Sequence, residues 1–492
     1  MSSHEEKQKE YLFTDLRHID CGDLRWLSPD EKTMPLYPDE PAVPLHSGPV
    51  NLPRGITLQA QKAHKESPLP PDAPRPERGV CYENGVYRSW SMRTQYPAND
   101  REKGCYSKAP PEKVSIIYCE SNDGYDWRRK HACDIDVVGF GHDGFTIFKD
   151  PIAPESEQYK AVFMAQAPNE QRPELWRQYQ RINPRYRDTR MSPEHMACMY
   201  GVVSPDGLNW KLIHEPLFAH HSDTDTNVYY DQTLERYVMF TRLYWERRRL
   251  VARCESEDFR HWTHLEPLIW ADLNPPYSDD IYTNGYTTYP GLPSQHLMFP
   301  NVYHRFTQTS DVFLHSSIDA LRWNRVPGGP VIERGPAGTF DGQYLGGMTR
   351  LVPFGNDKVG LWYTGYPYPH KYPRWDHVFG ESRVAPAWWQ KGRLCAVKAQ
   401  EDGEFYTLPI QPAGRTLKLN ARAEYAGGIW VEVCGVQGRT MADCAPVIGD
   451  GLALPVSWKD SADIGAPENQ AVVLHFRLRS AELFGFKWEG MI

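Results

Sequence analysis

Acidic side chains are the residues of this 492-residue chain whose types and spacing could do chemistry. Asp143 stands seven positions before Asp150, and Asp225 six before Asp231; each second acid precedes a turn into an aromatic-led strand, Tyr159-Lys-Ala-Val-Phe-Met or Tyr237-Val-Met-Phe-Thr-Arg. Asp279-Asp280 and Asp341 are further acids ahead of strand-like runs. If Asp143, Asp225 and Asp280 met within several ångströms, desolvation and mutual repulsion would raise one pKa enough for proton donation while another acid stayed ionised. The competing reading is local, since Asp at a turn commonly caps backbone amides. Asp150 and Asp231 are read that way, as hairpin residues.

Other side chains could complete a pocket. Arg242 ends the Tyr237 strand and could fork onto adjacent hydroxyls. Tyr282, Tyr286 and Tyr289 cluster beside Asp280 and offer either stacking faces or packing aromatics. His370, in Tyr366-Pro-Tyr-Pro-His, is expected on a long loop that crosses such a pocket. Arg247-Arg248-Arg249 reads as a solvated hairpin tip. The ten Cys contain no CxxC pair, and no ligand motif of fixed spacing occurs, so neither a metal nor a cofactor is expected.

The elements that must position these residues are signalled by an internal repeat. Ser-x-Asp-x-x-x-Trp occurs as Ser121/Asp123/Trp127, Ser204/Asp206/Trp210, Ser256/Asp258/Trp262 and Ser317/Asp319/Trp323, with separations of 83, 52 and 61 residues. Such distances suit one four-stranded sheet per copy plus variable loops, with Ser and Asp satisfying a turn backbone and Trp packing between neighbouring sheets. An aromatic-led strand precedes each copy, and His296-Leu-Met-Phe and Val359-Gly-Leu-Trp-Tyr stand at the same place in a fourth and fifth unit. Glu401-Asp402-Gly403-Glu404-Phe405 reads as a degenerate fifth turn. The fold class predicted is all-β: a five-bladed β-propeller over 79–410, with blades at roughly 79–135, 140–217, 218–270, 276–330 and 331–410. Residues 1–78, crowded with Pro, are expected to be irregular and to wrap the propeller. Beyond Pro412 the cleaner alternation of Ile429-Trp-Val-Glu-Val and Val472-Val-Leu-His-Phe-Arg-Leu predicts a β-sandwich over 411–492, with Trp430, Trp458 and Trp488 in its core.

Bulk properties narrow the classes. The 55 basic and 63 acidic residues give a net charge of −8 without a basic stripe, so nucleic acid is not an expected partner. Met1–Glu10 has no apolar signal core and no run of about 18 apolar residues occurs, so the expectation is a cytoplasmic protein with no membrane partner. Aromatics at 13% suit β-rich packing and also clefts that stack on sugar rings.

Three stretches carry a family resemblance. Ser204-Pro-Asp-Gly-Leu-Asn-Trp-Lys-Leu resembles the blade-ending S-x-D-G-x-x-W of the five-bladed glycosidase superfamily, the fold of glycoside hydrolase families 32, 43, 62, 68, 117 and 130. Phe145-Thr-Ile-Phe-Lys-Asp-Pro with Tyr159-Lys-Ala-Val-Phe-Met resembles a blade of families 32 and 43, and 417–486 is similar to the sandwich appended to many such propellers. The propeller likeness spans about two thirds of the chain. Trp-Met-Asn-Asp-Pro, the family 32 nucleophile signature, is absent near the first blade, and Cys254-Glu255 reverses the order of that family's Glu-Cys motif.

The resemblance implies a carbohydrate substrate and places the working acids at the starts of the innermost strands. That rule gives His142-Asp143 in the second blade, Asp223-Thr-Asp225 in the third, Asp279-Asp280 in the fourth and Asp341 in the fifth. Asp143, Asp225 and Asp280 are then the expected catalytic set; His142, Asp341, Arg242, Tyr282, Tyr286 and His370 are expected to bind substrate. Matched to family 32, Asp150 would stabilise the transition state; matched to family 43, it is a turn residue. Family 117 uses a His as acid, which draws attention to His142 and His370. The implied activity is an exo-acting glycoside hydrolase, on a furanoside such as an arabinofuranoside; a family 130 type phosphorylase and a non-catalytic sugar-binding propeller are the alternatives. A hydrolase needs two facing carboxyls about 5 to 10 Å apart, and a phosphorylase an Arg or Lys pair nearby.

Overall fold

The computed structural model describes residues 9–27, 33–34, 46–76, 79–95, 113–135, 144–245, 247–271, 279–370, 382–459 and 461–490. They are built almost wholly of antiparallel strands, with one α-helix, Arg172–Tyr179. None of the helices in these residues is long and apolar enough to cross a membrane. Two compact units result: one takes in 62–325 and 330–388, the other 1–61, 326–329 and 389–492.

The larger unit contains five successive sheet groups. The first runs Gly79–Glu83, Val86–Gln95, Lys113–Ser121 and Arg128–Ile135, each strand paired to the next. The second runs Thr146–Lys149, Tyr159–Gln166, Ala197–Ser204 and Lys211–Leu212; the third Asn227–Asp231, Arg236–Trp245, Arg248–Ser256 and Glu266–Ile269. In the fourth group Tyr286–Tyr289, Leu292–Met298, His315–Ser317 and Trp323–Arg325 are accompanied by a three-stranded sheet of Asp280–Ile281, Asn301–His304 and Thr309–Val312. The fifth runs Tyr344–Met348, Lys358–Tyr366 and Arg383–Gln390, and takes its last strand, His64–Lys65, from far upstream.

The repeated motif builds the same turn four times. In the second copy Ser204 Oγ accepts from Gly207 N at 2.9 Å, Asp206 Oδ1 accepts from Leu208 N and Asn209 N, both at 2.8 Å, and Trp210 Nε1 donates to Gly207 O at 3.1 Å. Asp123, Asp258 and Asp319 each accept from two amides in the same way. The residue after the Asp has positive φ, supplied at no steric cost by Gly124 and Gly207 and adopted against the usual steric preference by Phe259 and Ala320 in the other copies. The exposed carbonyl of that turn is a docking point: Trp90 Nε1 of the first sheet donates to Gly207 O of the second at 2.7 Å, and Trp362 Nε1 of the fifth to Gly124 O of the first at 3.0 Å. Phe259 of the third sheet packs on Phe148 of the second, Trp323 of the fourth on Phe240 of the third, and Ser310 Oγ of the fourth group bonds Leu345 O of the fifth. Each group therefore meets the one before it, and the first meets the fifth.

The smaller unit is a six-stranded sheet in the order Gly449–Pro455, Thr416–Val433, Leu474–Glu489, Cys395–Tyr406 and Thr57–Ala60, with Glu10–Leu12 also on Leu474–Glu489. Its long strands carry register shifts at 420/421, 423/428 and 399/402, the irregularities that bend a strand. Trp458 and Trp488 are buried in its core with Phe13, Phe405, Phe476 and Phe486, and Trp430 packs against it.

Three sequence expectations change. Residues 401–405 are no turn: they lie inside the strand Cys395–Tyr406, paired to Leu474–Glu489. Compact-unit limits fall at 61/62 and 388/389 rather than 78/79 and 410/411, because the upstream segment supplies strands to both units. That segment is also less irregular than its prolines suggest: Thr57–Ala60 pairs with Cys395–Lys398 and His64–Lys65 with Ala387–Trp388.

Because Asp206 serves two turn amides, Asp206→Ala is expected to cost about 0.5 to 1.5 kcal/mol, read as a lower urea midpoint. Asp126→Ala, which removes only an exposed partner of Arg128, should leave the midpoint where it was.

Candidate functional site

The segment His220–Thr226 leads into the first strand of the third sheet and is buried along most of its length. Hydroxyls fix its path: Thr241 Oγ1 bonds both Thr226 Oγ1 and Ser222 Oγ at 2.9 Å. His220 Nε2 meets Arg242 O at 2.8 Å. Gly144, at φ +73°, lies so close that a Cβ there would stand 2.8 Å from Thr224 O and 3.0 Å from Ser222 O, so only glycine allows the second sheet's lead-in to approach. From the fourth group Asn284 Nδ2 donates to Asp225 O at 2.9 Å while its Oδ1 accepts from Asn227 Nδ2 at 2.7 Å. The starts of three first strands are thereby held together, with Asp225 buried among them.

Two residues earlier, Asp223 is the hub of a charged cluster. Its carboxylate accepts from Arg242 Nη1, from Arg249 Nη2 at 3.0 Å and from Arg190 Nη1 at 3.0 Å. Asp188, on the long connection inside the second sheet, accepts from Arg190 Nη2 at 2.6 Å and from Arg242 Nη2 at 3.2 Å. The three guanidinium groups surround the Tyr244 ring, with Arg242 4.8 Å from its centre. Burial alone would raise both acids, but the arginines outweigh it: Asp223 is held well below the usual carboxylate range and Asp188 at about 2. Burial and Arg242 together lower His221 to about 4, so near neutrality it is uncharged and its Nδ1 accepts from Arg242 Nη2 at 2.7 Å.

An aromatic wall adjoins the cluster. The Arg249 guanidinium lies 3.5 Å from the centre of the Tyr282 ring. Tyr282 Oη meets His370 Nε2 at 2.6 Å, and His370 stacks on Tyr344 at 4.5 Å. The Asp225 charge reaches Tyr344, adding to the burial that raises its phenol. Asp280 accepts from Arg249 N at 2.9 Å and from both prongs of Arg305 at 2.6 and 2.7 Å. Burial pushes the Asp280 carboxyl up against the pull of Arg305 and the Arg249 amide.

Five of the residues singled out in the sequence are therefore gathered in one place: Asp225, Asp280, Arg242, Tyr282 and His370. Two are placed elsewhere. Asp341 is engaged by Lys65 Nζ at 2.8 Å, Tyr363 Oη at 2.9 Å and Thr339 Oγ1 at 3.0 Å. Tyr286 packs against Tyr229, Phe240 and Trp323 and bonds His296 Nδ1 at 3.0 Å, the packing-aromatic alternative of its reading. His142 and Asp143 lie outside the described residues. Asp150 is a buried turn acid, bonded to Ile152 N at 3.0 Å, Tyr237 Oη at 2.7 Å and the Lys160 ammonium.

Sequence reasoning missed Asp188, Arg190, His221 and Arg249, and passed over Asp223 for Asp225. Arg249 is the clearest correction, since its side chain is 4% exposed rather than at a solvated tip. The signal was the hairpin register, which sets Arg249 directly opposite Tyr244. Asp188 and Arg190 sit on a connection that no repeat marks. Among the described residues no group of three or more His, Cys, Asp or Glu is arranged to hold a metal ion.

Two predictions follow from the cluster's burial. Arg242→Met removes the most buried of three cations and leaves Asp223 with Arg190 and Arg249 and Asp188 with Arg190 alone; it is expected to destabilise the chain by about 1 to 3 kcal/mol, measured by urea unfolding at pH 7. Asp188 has a folded pKa near 2 against an ordinary value of about 3.9; its contribution is complete above the ordinary value and disappears as pH falls toward the folded one. Urea midpoints should decline between about pH 4 and 2, and Asp188→Asn should flatten part of that decline while lowering the midpoint at pH 7.

No family model matches the chain, and no curated protein matches it. Among solved structures it is similar to a thermostable family-43 glycoside hydrolase, at 12% identity and a TM-score of 0.41 over 65% of this chain and 92% of that one. A β-1,2-mannobiose phosphorylase from Listeria innocua is similar at 11% identity and a TM-score of 0.41, over 75% of this chain and 97% of that one. A GH32 β-fructofuranosidase from Bombyx mori is similar at 9% identity and a TM-score of 0.39, over 90% of this chain and 94% of that one.

Proposed function

We propose that this chain is a carbohydrate-active enzyme, a glycoside hydrolase whose larger unit is a five-bladed β-propeller and whose smaller, bulged sheet folds over as a sandwich. The observation that supports the reading is a buried arginine pair, Arg242 and Arg249, held by Asp223 beside an aromatic wall of Tyr282, Tyr344 and His370, with Asp280 bonded to the Arg249 amide and the buried Asp225 acting on Tyr344. Sugar recognition calls for those parts: flat rings for C–H faces, forked donors for adjacent hydroxyls and carboxyl groups at the scissile bond.

Roles follow from electrostatics. Asp223, held ionised by three arginines, cannot donate a proton near neutrality; it fixes Arg242 and Arg249 for substrate hydroxyls. Asp225 is proposed as one of the two carboxyls flanking the bond. Asp143 is proposed as the other from its place next to Gly144, which packs on Ser222–Thr226. Asp280 tunes the pair. Exo action on a short furanoside, an arabinofuranoside first, is carried over from the sequence resemblance by analogy.

One observation favours phosphorolysis as a second reading: three guanidinium groups in the cluster face only two carboxylates, and the surplus positive charge would suit a phosphate.

A screen of aryl glycosides, run with and without inorganic phosphate, tests both. Hydrolysis is expected without phosphate, with kcat lowered about 10²- to 10⁴-fold in Asp225→Asn and Asp143→Asn and unfolding midpoints near wild type. A sugar phosphate formed only when phosphate is present would select the second reading. Activity unchanged in Asp143→Asn, Asp225→Asn and Asp280→Asn alike would remove the proposed site.

A further inference from the structure

The larger unit holds a second polar feature that the reading above does not use. A cavity of about 880 Å³ is lined by residues of all five sheet groups: Cys81, Lys149, Tyr230 and Thr288 on the first strands of four of them, and Arg350 just beyond the first strand of the fifth. No member of the Asp223 cluster lines it.

Arg350 is the unusual member. Its Nη2 donates to Val228 O at 2.9 Å, its Nε is sealed from water without a partner, and no carboxylate among the described residues pairs with it. The acids that share the cavity wall are already occupied. Asp231 accepts from Thr233 N at 2.9 Å and Leu234 N at 3.0 Å, and Asp319 from Leu321 N at 2.9 Å and Arg322 N at 2.7 Å. Lys149, the other cation on the wall, has Glu83 3.8 Å away. Burial pulls Arg350 below its ordinary value, in keeping with a cation that lacks a compensating charge. Arg350 is only half-buried, whereas the fully buried arginines described here, Arg242, Arg249, Arg253 and Arg393, each have a carboxylate within 3.0 Å.

A guanidinium enclosed by protein is ordinarily met by an anion, and its planar fork matches the two oxygens of a carboxylate or phosphate. The rest of the wall, with Tyr229, Tyr230, Tyr286 and His296, offers flat and weakly polar surface to the remainder of such a molecule. We propose that this cavity binds an oxyanion, a carboxylate or phosphate group, with Arg350 as its principal ligand.

Calorimetric titration of the full chain with sodium phosphate and, separately, sodium acetate at constant ionic strength tests it. At least one anion is expected to bind in the millimolar range or tighter, with affinity falling at least tenfold in Arg350→Gln. Thr288→Phe, which fills the cavity and leaves Arg350 in place, should cause the same loss and serves if Arg350→Gln does not fold. Arg249→Gln, in the other cluster, should retain the binding. Binding of phosphate alone assigns a phosphate group, and of acetate alone a carboxylate. No binding of either anion by the wild type, retention in Thr288→Phe, or loss in Arg249→Gln but not in the cavity variants overturns the proposal.

Discussion

A guanidinium taken out of water must be met by carboxylates, and the arrangement around Arg242 shows how much structure that one requirement recruits. Its side chain is 1% exposed, so its charge has to be balanced locally. Asp188 arrives from the connection inside the second sheet, Asp223 from the lead-in to the third, and Arg190 and Arg249 close the set. Every pair but Asp188–Arg190 crosses between elements, so the electrostatic requirement also sets where His220–Thr226 runs. Asp225 inherits its position from that path, being two residues beyond a carboxylate that cannot move.

The repeated turns supply the frame against which such a cluster can be precise. Their Ser and Asp side chains use up the turn amides, leaving one carbonyl free to receive an indole N–H from the preceding sheet. Where glycine is replaced by Phe259, the link to the preceding sheet becomes ring on ring, with Phe148. The interlock is therefore a property of turn geometry more than of one residue type. Asn227 and Asn284 repeat the principle at the other ends of the first strands, where amide-to-carbonyl bonds hold adjacent lead-ins in register.

These two layers differ in how far the sequence reveals them. The turns are local, with their own hydrogen bonds made within six residues, so identical spacing in four places made those turns and their antiparallel sheets legible. The acids at strand starts could be selected by rule, and Asp225, Asp280, Arg242, Tyr282 and His370 do assemble. Asp223 was passed over because two acids separated by one residue cannot be ranked without knowing which faces arginine. Arg249 was misread because a run of three like charges looks solvated until register sets one of them across from an aromatic ring. Asp188 and Arg190 lie on an insertion, where periodicity carries no information. The sandwich expected at the end of the chain was read from strand alternation, which cannot show that 18- and 16-residue strands stay hydrogen-bonded through their bulges as one sheet.

Asp341 shows why a positional rule yields more candidates than a site can use. The chain after Gln390 passes to the smaller unit, so the edge of the fifth sheet beside Arg383–Gln390 is filled by His64–Lys65 instead. A two-residue strand contributes few ladder bonds, so side chains must anchor it. Lys65 Nζ reaches Glu333 O and Asp341 Oδ2, both at 2.8 Å, and Trp388 Nε1 donates to Glu66 at 2.8 Å. The acid at the start of the fifth sheet is thus committed to closing that sheet, with Tyr363 and Thr339 also bonded to its oxygens. A carboxylate so engaged by an ammonium and two hydroxyls has most of its acceptor capacity used within the fold. The starts of the first strands are therefore equivalent in topology and unequal in chemistry, and what separates them is whether the surrounding sheet needs the charge for itself.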